Sequence, residues 1–165
     1  MNPTLKQMLH SVCIWIDATP LSQAIQATAW IVPAVQTIHI LAIAALMASM
    51  LMVNLRLIGG TRADRSLAQV ANRFIPVIWW ALPVLLLSGA ILIIGEPARA
   101  LKNVIFQWKM LLVLSAIIVT LVLSSALKKN PSRWEYPAAA GKWVALLSTS
   151  LWVGIIFAGR WIAYF

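Results

Sequence analysis

The chain has 165 residues, 62% of them hydrophobic and 10% charged, with thirteen Lys and Arg against four Asp and Glu for a net charge of +9. With a mean hydropathy of +0.88, that composition excludes an ordinary soluble domain and describes a membrane protein. The basic residues lie between apolar runs, which points to membrane topology rather than to nucleic acid, and the lone Cys13 excludes an intrachain disulfide.

Residues 3–17 place Leu5, Met8, Leu9, Val12, Trp15 and Ile16 at three-to-four spacing, with Lys6, Gln7 and Ser11 elsewhere. That pattern predicts an amphipathic helix lying at the membrane interface. A short helix is expected from TPLSQ, with Thr19 as its cap and Pro20 in its first turn. ATA at 27–29 imitates a signal-peptide cleavage site, but residues 18–29 contain no continuous apolar core, so the segment is expected to be retained.

Four runs then reach the roughly 20 residues of helix that span a hydrocarbon core, at about 30–57, 74–94, 104–127 and 142–164. The first carries Pro33 in its opening turn and ends at RLIGG, where glycine permits a sharp exit. The second contains Pro76 and Pro83 and is expected to kink. GEP at 95–97 closes it, and KKNPSRWEYP at 128–137 makes the last turn. The prediction is an all-α integral membrane four-helix bundle in one domain, 1–165, with an N-terminal interfacial helix. Small residues such as Ala42, Ser49, Ser88, Gly89, Ser148 and Gly159 mark close helix packing.

Eight basic residues flank the first and third connections (Arg56, Arg62, Arg65, Arg73, Lys128, Lys129, Arg133, Lys142), and five lie on the other side (Lys6, Arg99, Lys102, Lys109, Arg160). The positive-inside rule therefore places both termini outside, which in a bacterial inner membrane is the periplasm. Trp30, Trp108, Trp143 and Trp161 stand near segment ends, as interfacial anchors do. At Arg56, helix C-terminal charge compensation or headgroup contact is the simplest reading.

The chemistry-bearing residue is His39, about nine residues into the first span and so roughly 13 Å below its outer end. An ionisable group within a membrane is by default a ligand, proton-relay or substrate residue; its plain alternative is a packed histidine bonded to a neighbouring helix. Lys109 and Arg160 belong to the same outer side, with Gln36 one turn above His39 and with Gln107 and Glu96 near their helix ends. Singly, the two cations are equally well read as snorkelling to headgroups. Together these residues would form an outward polar pocket for an anionic or carbonyl-bearing ligand. Haem b is one candidate, His39 being its axial metal ligand and Lys109 and Arg160 the partners of its propionates. A quinone, hydrogen-bonded by His39 and Gln36, is the other. His10, the second histidine, falls on the interfacial helix, so bis-histidine haem within one chain is not expected.

Other donor sets are weaker. Met47, Met50 and Met52 suit copper(I) by softness, yet Met50 lies about 16 Å along the helix from His39, and methionine here reads as packing. His10 and Cys13 share a helix face but make only two ligands. No phosphate loop, hydrolase elbow or intramembrane carboxylate pair is present in the sequence. Against the redox reading stand a small-solute or proton channel lined by His39, Gln36 and Lys109, and a structural assembly protein without a cofactor. In each case the many apolar faces imply a lipid bilayer and either a homo-oligomer or a larger complex.

W..P..Q.IHI from Trp30, NLRLIGG from Asn54, F.WKM.L from Phe106 and GRWIAY from Gly159 resemble an uncharacterised bacterial family of small inner-membrane proteins over nearly the whole chain. More remotely, IHILAIAALMASMLMVNLRL and WKMLLVL are similar to the first and third helices of J-type protoporphyrinogen oxidases and of the copper-resistance D-type membrane domain. That resemblance implies a haem-bearing site at His39 and Lys109. This chain departs from the pattern late in the third span, where TLVLSSALKKN contains no histidine to serve as a second ligand.

Overall fold

The computed structural model describes residues 3–59, 66–101, 103–129 and 139–162, and these are helical throughout apart from short turns. The elements are α1 (Pro3–Asp17), α2 (Pro20–Ala27), α3 (Ile31–Ile58), α4 (Leu67–Gly95), α5 (Pro97–Leu101), α6 (Val104–Lys129) and α7 (Ala139–Trp161). Helices α3, α4, α6 and α7 are each long and apolar enough to cross a membrane. The chain is therefore an all-α membrane bundle, as its composition requires.

Local chemistry explains most boundaries. Thr19 caps α2 by accepting from the Ser22 N–H at 3.3 Å, with Pro20 at the first helical position. Helix α3 stops at Gly59, whose φ of 83° is open to glycine without strain and lets its N–H reach the Arg56 and Leu55 carbonyls. Helix α4 starts two turns before the apolar run at Phe74, because Ser66 and Gln69 form a capping box with both bonds at 3.2 Å. Hydropathy alone does not register those turns; the side-chain chemistry that begins them is polar. Helix α4 then runs on through Pro76 and Pro83. Gly60 of RLIGG and most of KKNPSRWEYP lie outside the described residues, as do Arg62, Arg65, Lys102, Arg133 and the end of the expected span at 163–164.

The spans form a ring. Helix α3 lies between α4 and α7, α6 pairs extensively with α7, and α4 meets α6 along a sparser seam, so α3 and α6 are diagonal. Each span turns one stripe inward: Ala42, Leu46, Met50 and Val53 on α3, for example, and Ala145, Ser148, Trp152 and Ile155 on α7. Only 22–28% of each apolar window is buried in the bundle, so most apolar side chains face outward, where lipid is the solvent that accepts them. Trp30, Trp108, Trp143 and Trp161 are all exposed, as interfacial anchors should be.

Helices α1, α2 and α5 gather at one end of the ring, hereafter the capped end, against α3, α4 and α6. Ser22 Oγ donates to the Ile94 carbonyl at 2.7 Å and Cys13 Sγ to the Pro97 carbonyl at 3.6 Å. Gly95 lets α2 approach closely, since a Cβ there would lie 3.1 Å from Ile25 Cγ2. At the opposite, basic end stand Arg56, Arg73, Lys128, Lys129 and Lys142.

Candidate functional site

Follow each inward stripe to the capped end and the apolar residues give way to others. On α3 the stripe Leu46, Ala42 continues to His39, and on α4 the stripe Ile78, Ala81 continues to Ser88. On α6, Thr120 and Ala116 lead to Lys109, and on α7, Trp152 and Ile155 lead to Gly159. The 3.6-residue period thus brings an imidazole, a hydroxyl, an ammonium and a glycine to the same level of the ring.

The proton accounting at His39 is informative. His39 Nδ1 and Ser88 Oγ are 2.7 Å apart. Ser88 has a single hydroxyl proton, and it points to the Val84 carbonyl at 2.5 Å. With that proton on Val84, Ser88 accepts from His39 Nδ1–H and Nε2 carries the lone pair; in the other tautomer Ser88 donates to Nδ1 and Nε2 carries the proton. This is the arrangement by which an outer partner orients a histidine for a ligand at its other nitrogen. Gly89 makes room for the ring: a Cβ there would sit 3.5 Å from His39 Cε1.

Lys109 is largely buried, with its ammonium 3.4 Å from where a Cβ on Gly159 would stand. The ammonium thus reaches toward Gly159, near the end of α7. Of the other expected members, Gln36 and Arg160 are at the same end but exposed. Gln107 is half-buried in the first turn of α6, and Glu96 is exposed where α4 ends. The structure thus sets His39 against Ser88 and Gly89, and Lys109 against Gly159, with Gln36 and Arg160 exposed at the same end.

By sequence alone, Ser88, Gly89 and Gly159 read as packing residues only. The periodicity of the buried stripes was the available signal, but it selects Ser88 only once α4 is known to pair with α3. Among the remaining donor sets, His10 is exposed while Cys13 is turned into the α1–α5 contact. Met50 is a core residue and Met52 faces outward. No three His, Cys, Asp or Glu side chains converge among the described residues, so an ion bound by protein ligands alone has no donor set there.

No curated protein and no solved structure matches the chain, so neither comparison supports the remote likeness to the oxidases and the copper-resistance domain. The model of a family of unknown function (DUF6644) matches residues 14–165, which takes in every membrane span and the whole of the His39 site, and the chain belongs to that family.

Proposed function

We propose that the protein is a small redox subunit of the bacterial inner membrane that binds a quinone headgroup or a haem at the capped end, with His39 as the primary contact. One observation supports the reading: at the capped end, within a membrane span, the His39 imidazole is hydrogen-bonded to Ser88 at 2.7 Å, with Lys109 at the same end of α6. A quinone brings a two-electron, two-proton couple when bound, and a haem a one-electron couple. On the protein side, Lys109 donates to a carbonyl oxygen or pairs with a carboxylate. Nε2 of His39 would accept a hydrogen bond from a quinol hydroxyl, or hold a haem iron, while Ser88 orients the ring. Arg160 and Gln36, at the rim, recognise polar groups that project from the mouth. The donor set favours the quinone, which asks for one acceptor and one donor, over a haem that would find one histidine here.

The distribution of basic residues supports an orientation with the capped end and both termini on the periplasmic side. The outward apolar faces support lipid contact together with self-association or incorporation into a larger complex.

The test is purification in mild detergent, followed by quinone extraction and an oxidised-minus-reduced visible spectrum, with His39→Ala alongside. Co-purifying quinone lost from the variant supports the quinone site, and a Soret band lost from the variant supports haem ligation. A colourless, quinone-free wild type from cells replete in both sinks the redox reading and favours a cofactor-free transport or assembly role.

A further inference from the structure

Far from His39, the seam between α3 and α7 contains three buried polar atoms without hydrogen-bond partners: Asn54 Oδ1, Ser148 Oγ and Trp152 Nε1. Their side chains are 1%, 1% and 5% exposed, and buried polar groups in native proteins are almost always satisfied. Sequence neighbours and the helical stripe relate the three. Asn54 Nδ2 donates to Thr149 Oγ1 at 2.9 Å, next in sequence to Ser148, and Trp152 lies one turn beyond Ser148 on the same buried stripe.

The bonds already made fix what each atom offers. Thr149 gives its proton to the Ala145 carbonyl at 2.8 Å, so it can only accept from Asn54, and the amide cannot be turned the other way. Asn54 Oδ1 is therefore an acceptor. Thr37, Ser49, Ser88, Ser115 and Thr120 each close onto the carbonyl four residues back, the usual outlet for a hydroxyl in a helix. Ser148 does not. The indole of Trp152 can only donate.

One acceptor, one donor and one group that does both do not suit a cation, which the indole N–H would repel, or an anion, which the amide oxygen would repel. They are complementary to water. We propose that the α3–α7 seam holds an internal water that accepts from Trp152 Nε1–H and donates to Asn54 Oδ1, with Ser148 Oγ as its third partner. Three partners is the usual number for a buried water. With no bulk water in the bilayer core, the molecule completes bonds that the helices cannot supply, and it ties α3 to α7 beside the Asn54–Thr149 bond. This site is independent of the one at His39.

The test uses the full chain in lipid nanodiscs with 15N-labelled tryptophan, the Trp152 indole signal being assigned by its loss in Trp152→Phe. Water-selective NMR is expected to transfer magnetisation from water to the Trp152 Nε1 proton. In Ser148→Ala the transfer persists with a shifted indole resonance, which separates bound water from relay through the serine hydroxyl. In Asn54→Leu the transfer is lost. Absence of transfer in the wild type, or its loss in Ser148→Ala, overturns the proposal, and these two results decide it even if Asn54→Leu fails to fold. Undiminished transfer in a folded Asn54→Leu overturns it as well.

Discussion

At the residue scale, Ser88 is a more informative position than its modest side chain suggests. Its hydroxyl lies 2.7 Å from His39 Nδ1 and 2.5 Å from the Val84 carbonyl, so Ser88→Ala leaves the imidazole free to turn or to change tautomer. Loss of an outer partner of this kind typically weakens binding about 10–100-fold. We expect Ser88→Ala to lose the same ligand as His39→Ala, but only in part, while helical content is unchanged; ligand content per mole of protein and far-ultraviolet circular dichroism check both halves. Lys109→Met should separate function from stability. Methionine keeps the length and packs against Gly159 without a buried charge, so the variant is expected to melt higher in detergent than the wild type and to retain no ligand. A variant that melts lower would mean that Lys109 holds the α6–α7 seam together.

At the scale of elements, the start of α4 rests on reciprocal side-chain bonds between Ser66 and Gln69. Removal of a helix cap typically costs about 1 kcal/mol. Ser66→Ala is therefore expected to speed hydrogen exchange through the first two turns of α4 and to leave the residues beyond Phe74 protected. The other end of α4 is governed by space. With only 3.1 Å to Ile25 and 3.4 Å to Val32 from a Cβ at position 95, Gly95→Val must displace α2. Protease cleavage between α1 and α3 is the measurement, and the variant should be cut faster than the wild type.

For the whole molecule, Cys13 is a reporter already in place. It is 3% exposed and faces the Pro97 carbonyl, so it is closed off only while α1 stays docked on α5. A maleimide should react slowly with the folded protein in lipid and quickly once detergent denaturation releases the cap. Rapid labelling of the folded protein would show α1 detached. In a Cys13→Ser background, single cysteines at the basic end and at the capped end should be labelled from opposite sides of the membrane, and labelling from the same side would refute the proposed orientation.

Several features were legible in the residues alone because they depend on local chemistry or composition. Four apolar runs of span length, the capped short helix at Thr19 and Pro20, the glycine exit after Arg56 and the unusual His39 all follow from what a single segment must do in lipid. The early start of α4 was also local, but it was written in a Ser-x-x-Gln cap rather than in hydropathy. The site was legible by half. His39 and Lys109 stand out because charge is expensive in a membrane, whereas Ser88 and Gly159 look like any small residue at a helix crossing. Which small residue faces which ionisable one depends on helix order around the ring and on rotation of each helix. Those are set by the summed packing of weak, non-directional contacts along whole stripes, and no segment encodes them by itself. Tertiary structure alone therefore decided that Ser88 would meet His39, that Lys109 would reach Gly159, and that Asn54, Ser148 and Trp152 would be buried with unpaired polar atoms.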